Sequence, residues 1–161
     1  MGYWPKYKEQ LISKYPPTEV LRRLEITVKP VKKQSFHNQK LDGEEQELFL
    51  FNGLISEKGF SISKVVDKPD NFLPLINGKV LPFEQGSRVL VQYSLFKSVN
   101  WFFGFWFFLL LALTLIAYIE KQAIYWLVVP VIVQVCSYIL VVARFKKGIV
   151  DSRKELIKLI C

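Results

Sequence analysis

From Ser98 to Ile119 and again from Ala123 to Ala143 the chain has no charged side chain, and only Glu120-Lys121-Gln122 separates the two runs. Each run is a little over twenty residues long. A helix of that length covers the roughly 30 Å of a bilayer's hydrocarbon core at about 1.5 Å per residue. A link of three residues forces the second helix to return antiparallel to the first. The sequence therefore predicts a transmembrane helical hairpin, residues 98–144, and the rest of the chain must fold around its two ends.

Charge decides which side those ends occupy. Up to Lys97 the chain carries fifteen Lys and Arg against eleven Asp and Glu; from Arg144 onward it carries six against two. Positive flanks on both outer ends place both termini in the cytoplasm, as expected for a two-pass protein of a bacterial inner membrane. Lys97 borders one entry to the membrane, and Arg144, Lys146 and Lys147 border the other. These four are candidate lipid-headgroup contacts, each contributing on the order of 1 kcal/mol near an anionic surface. Met1 to Lys8 is aromatic and basic, without the apolar core of a secretory signal.

Chemistry is harder to find. His37, the only histidine, stands in a polar stretch between Lys29 and Glu47 that reads as a loop. Cys136 falls within the second apolar run and Cys161 ends the chain, so neither a metal site nor a disulfide framework is expected, and no cofactor. General acid–base or nucleophilic catalysis needs a paired base, acid or nucleophile, and no such constellation is spelled out. No nucleic-acid partner is expected either, because no Gly-rich phosphate loop or RNA-binding aromatic motif occurs.

The first 97 residues suffice for one small domain. Residues 1–17 read as an irregular, aromatic lead-in. Pro16-Pro17-Thr18 signals a helix start with Thr18 as the cap, and Val20, Leu21, Leu24 and Val28 recur at helical spacing. Four strands follow, Glu47–Ser56, Gly59–Val66, Phe72–Phe83 and Ser87–Phe96, joined as two hairpins through Glu57-Lys58-Gly59 and Glu84-Gln85-Gly86. Val89, Val91, Tyr93 and Leu95 form one face of the last strand. Pro74, Pro82 and Gly78 mark the third strand as an edge or a bulge. After the hairpin, residues 145–161 read as a separate amphipathic helix, capped by Ser152-Arg153-Lys154-Glu155 and returning to the sheet. The expected fold class is α+β: a small antiparallel four-stranded sheet with flanking helices, plus the transmembrane hairpin.

Within the second apolar run, Gln134 calls for a partner, since an amide at that depth ordinarily bonds to another helix. Thr114, Tyr118 or a second copy of the chain could supply it. The spans contain no charged residue, which argues against a proton relay or an ion transporter.

Phe51 and Gly53, Phe60 and Ile62, and Asn71, Phe72, Pro74, Ile76 and Gly78 together form the pattern F-x-G, F-x-I, N-x-F-x-P-x-I-x-G ahead of a membrane hairpin. In this the chain, over roughly residues 18–160, resembles a family of small bacterial membrane proteins of unknown function. It departs at Leu73, and at Lys64 where the family would have Arg. The resemblance implies a two-helix anchor and a small cytoplasmic α+β module; it supplies no activity.

Two functions fit. One is a non-enzymatic, membrane-tethered interaction module that binds a protein partner or another copy, with Asn71, Phe72, Pro74 and Gly78 as candidate contact residues. The other is a ligand-gated oligomeric effector or pore, in which Arg22, Arg23, Lys64, Lys68 and Arg88 meet a small anionic ligand.

Overall fold

The computed structural model describes residues 5–31, 49–66, 70, 72–120 and 125–161. Within them, strands β1 (Lys6–Ser13), β2 (Val28–Pro30), β3 (Phe51–Ser56), β4 (Gly59–Lys64), β5 (Leu75–Phe83) and β6 (Gly86–Ser94) make one sheet in the order β1-β6-β5-β4-β3-β2. Three helices lie among the described residues: α1 (Pro17–Thr27), α2 (Lys97–Ile119) and α3 (Tyr125–Ile160). The class is α+β, but the sheet has six strands rather than four. It is mixed, because β2 pairs parallel with β3 while all other neighbours are antiparallel. The two expected hairpins, β3–β4 and β5–β6, are present.

The two extra strands come from stretches whose alternation is disguised. Residues 6–13, expected to be irregular, pair with β6 from Lys6↔Ser94 to Ser13↔Ser87. Their inward positions are Tyr7, Glu9, Leu11 and Ser13, so half of that face is polar. Glu9 is neutralised there by Arg153, and the Ser13 hydroxyl donates to the Ile160 carbonyl. β2 is only three residues long and follows α1 without a loop.

Inward side chains of the sheet include Val89, Val91 and Tyr93 on β6, Ile76 and Val80 on β5, and Ile62 on β4, all buried. α1 and the last third of α3 cover this face. α1 contributes Val20 and Leu24, both fully buried. Its N-cap is Pro16 rather than Thr18, with no side-chain cap; Glu19 in the first turn pairs instead with Arg22 and Arg23.

α3 departs most from expectation. The amphipathic stretch 145–161 is not a separate helix, because α3 runs unbroken for 36 residues, about 54 Å. Phe145, Ile149, Ser152, Leu156 and Ile160 are buried on the sheet at steps of three and four residues. Ser152, expected as a cap, sits in the middle of that stripe.

β5 is not an edge strand: it lies between β6 and β4. Its prolines cost the ladder nothing, since Pro74 precedes the strand and Pro82 lies beyond Lys79, the last residue paired with β4. Gly53 on β3 has φ +154°, and a Cβ there would lie 2.2 Å from the Ser61 carbonyl oxygen. Only glycine fits that crossing.

α2 and residues Val128–Ile160 of α3 are long and apolar enough to cross a membrane, with mean hydropathies of 2.3 and 2.1. In each, only 11% of the apolar window is buried, which is unlike the core helix of a soluble protein. Trp101, Phe105, Phe108 and Ile119 point outward with more than half of their surface exposed.

Candidate functional site

Three places could host function: the junction between the sheet and the two long helices, the covered face of the sheet, and its open face. At the junction, Phe96 caps α2 just two residues after β6, so strand and helix are joined without slack. The Phe72 ring lies 6.3 Å from Phe103 of α2, and Pro74 is fully buried. Pro74 also packs on Gly148 of α3, where a Cβ would come within 2.8 Å of its Cδ. Gly78 lies under the Phe60 ring, with no room for a side chain. Of the residues picked from sequence as contact residues, Pro74 and Gly78 are buried against other parts of the chain and Phe72 is half-buried beside Phe103; Asn71 lies outside the described residues.

Around the junction, Lys97, Arg144, Lys146 and Lys147 are all exposed. Arg144 shares a cavity of about 440 Å³ with Phe72, Phe102, Trp106, Ser137 and Leu140. Phe102 stacks on Trp106 at 6.5 Å and meets Phe103 edge-on at 5.6 Å. A cation at the mouth of an aromatic groove between two membrane-length helices suits a phospholipid headgroup with its chain below. Further along, Gln134 Oε1 is occluded and accepts no hydrogen bond, while the Thr114 hydroxyl is bonded to its own helix at the Leu110 carbonyl. The bond expected at that oxygen from Thr114 is not made.

On the covered face, β1 is tied to both β6 and α3 through one carboxylate. The Tyr93 hydroxyl donates to Glu9 Oε1 at 2.7 Å, and Arg153 Nε donates to Oε2 at 2.7 Å. The Glu9 side chain is only 8% exposed. Burial, then the Glu9 contact, pushes the Tyr93 hydroxyl well above the usual phenol range, and the same carboxylate raises Arg153. Each group is satisfied by another, so the trio is a clamp rather than a reactive centre. The basic residues proposed for an anionic ligand do not converge. Arg22 and Arg23 are held by Glu19 on α1, Arg23 also lies 3.6 Å from the Tyr15 ring centroid, and Arg88 stacks over Phe83 on the opposite face at 4.1 Å. Lys68 lies outside the described residues. The two arginines hold Glu19 at about 2, far below the usual carboxylate value, by direct hydrogen bonds.

The open face holds a concavity of about 1070 Å³. Its register reads across the strands as Lys8, Gln92, Asn77, Ser61 in one row and Gln10, Leu90, Lys79 in the next. Ser61 Oγ lies 2.7 Å from Asn77 Oδ1 and donates to it. Sequence reasoning named Val89, Val91 and Tyr93 as one face but did not ask what the intervening Arg88, Leu90 and Gln92 would meet. Among the described residues, no helix covers them. Among the described residues, no three His, Cys, Asp or Glu side chains come together to hold a metal.

Comparison with protein-family models, curated proteins and solved structures gives no match.

Proposed function

We propose that the chain is a non-enzymatic integral membrane protein that holds a protein-binding module at the cytoplasmic surface of a bacterial inner membrane. The hairpin α2–α3 is the anchor, with Lys97, Arg144, Lys146 and Lys147 among the headgroups. The module recognises its partner through the open face of the sheet. The observation that carries this reading is a broad sheet face, apolar with polar groups set into it and covered by no helix among the described residues, on a domain joined to its anchor at two points. It holds amides, hydroxyls, ammonium groups and leucines, which suit recognition.

Site-specific photo-crosslinking in membranes tests it. A photoreactive residue at Leu90 or Gln92 should capture another polypeptide, while one at Ile26, exposed on α1 on the far side, should not. Equal capture at all three positions, or none at any, would refute the assignment.

One observation favours a second reading, the ligand-gated oligomeric effector. β6 enters α2 within two residues and α3 carries the membrane span straight onto the sheet, so a strain applied to the sheet reaches both spans. On that reading the crosslinked product is the chain itself, and reconstituted protein conducts ions when its ligand is added.

A further inference from the structure

Among the described residues, the charged side chains at the outward positions of the strands are all of one sign. Glu9 is the only carboxylate within the six strands, and it points to the covered face, held by Tyr93 and Arg153. The outward positions hold Lys6 and Lys8 on β1, Lys79 on β5 and Arg88 on β6, with no acid among them. Lys8 and Lys79 are two strands and one register step apart, about 12 Å at ordinary strand spacings. Gln92 and Leu90 lie on either side of the line between them.

Building on the interaction-module reading, we propose that the partner is an acidic, extended polypeptide segment of another protein. It would place two carboxylates on Lys8 and Lys79 with an apolar side chain between them on Leu90. In an extended chain, residues i, i+2 and i+4 point the same way, and i to i+4 spans about 13 Å. A Glu-x-Leu-x-Glu pattern matches the spacing of the two lysines and the leucine.

Three other occupants fit less well. A second copy docking face to face would set lysine against lysine. Single-stranded nucleic acid binds sheet faces by stacking bases on aromatic rings, and no ring stands in the two central rows of this face. The anionic bilayer meets at most one edge of it: Lys6 is registered with Ser94 beside the start of α2, while Lys79 is registered with Leu90, further up the sheet. α3 climbs the covered face from Gly148 beside Pro74 to Ile160 beside Ser13, so the open face stands beside the membrane rod rather than across its end.

The experiment uses the full chain in phosphatidylcholine nanodiscs and a fluorescent peptide of four Glu-Ser-Leu-Ser repeats, with the Lys-Ser-Leu-Ser peptide as control. The acidic peptide should bind saturably and more weakly as salt rises, and the basic one should not bind. The double variant Lys8→Glu, Lys79→Glu should bind about tenfold more weakly, two surface ion pairs being lost. Lys8→Gln, Lys79→Gln should fall between the two, and Lys158→Glu on the exposed side of α3 should bind as the parent does. The proposal is overturned by no saturable binding of the acidic peptide, by an equal loss in Lys158→Glu, or by displacement with a short oligouridine. Crosslinks from Leu90 without acidic-peptide binding would reject the partner class and keep the module; no position-dependent crosslinks would reject the module itself.

Discussion

Replacing Leu156 with alanine tests whether the end of α3 belongs to the sheet domain. Leu156 is fully buried, one and two turns from the buried Ser152, Ile149 and Ile160. Truncating a leucine so enclosed removes its burial and leaves a cavity, a loss of about 3 kcal/mol within a usual range of about 2–5. That shifts the folded-to-unfolded ratio by roughly a hundredfold. Val150 is 51% exposed on the same helix, and Val150→Ala should change stability by less than about 0.5 kcal/mol, since alanine is also the better helix former. The assay is pulse proteolysis of the full chain in micelles across a urea series, following cleavage within the sheet. If residues 145–160 lay on the bilayer instead, Leu156 would sit in lipid and its loss would leave the sheet untouched. A urea midpoint for Leu156→Ala equal to that of Val150→Ala would therefore refute the docked helix.

Gly53→Ala should destabilise the sheet by about 2 kcal/mol or more, because φ +154° and a Cβ 2.2 Å from the Ser61 oxygen must both be relieved; the same urea series reads it. Tyr93→Phe should cost about 1.5 kcal/mol near neutral pH through the lost bond to Glu9. Folding raises the Tyr93 pKa above its ordinary 10.0, so the neutral phenol's contribution is complete below pH 10 and declines as pH rises beyond it. The parent should lose stability above pH 10 more steeply than Tyr93→Phe, and identical alkaline slopes would contradict the buried hydroxyl. Gln134→Leu removes an occluded oxygen that accepts no bond, so hairpin stability should hold or rise and fluorescence energy transfer between labelled copies should be unchanged; a loss of transfer would assign the amide to a second copy.

The hairpin, α1 and the two β-hairpins were legible because each announces itself by a run of apolar residues or a clean period. β1 was not, and the reason is Glu9. An acid in an inward slot breaks the alternation, and its acceptability depends on Arg153, 144 residues later. The continuity of α3 was hidden for a related reason. Arg144, Lys146 and Lys147 look like a stop at the membrane surface, and Ser152 to Glu155 looks like a start. Yet a helix crossing from lipid to water needs no break when its apolar stripe continues, and Val141, Phe145 and Ile149 carry the stripe through the charged belt. Pro74 and Gly78 drew attention as unusual residues for a strand. They are unusual because other parts of the chain press on them, which no local pattern records.

The way the sheet is fixed bears on which face can work. β6 passes into α2 through Leu95 and Phe96, with Leu95 buried and the Phe96 carbonyl bonded to the first turn of the helix. α3 returns along the covered face and is clamped near its end by Ser13 and Arg153. A domain held at both ends of one face cannot rotate that face outward without unfolding α3 from the sheet, which would expose Phe145, Leu156 and Ile160 together. The covered face is thus committed to the anchor. On the proposed interaction-module reading, the face carrying Lys8, Lys79 and Leu90 is presented in one fixed orientation beside α2 and α3, and a partner would dock on it without any prior rearrangement of the module.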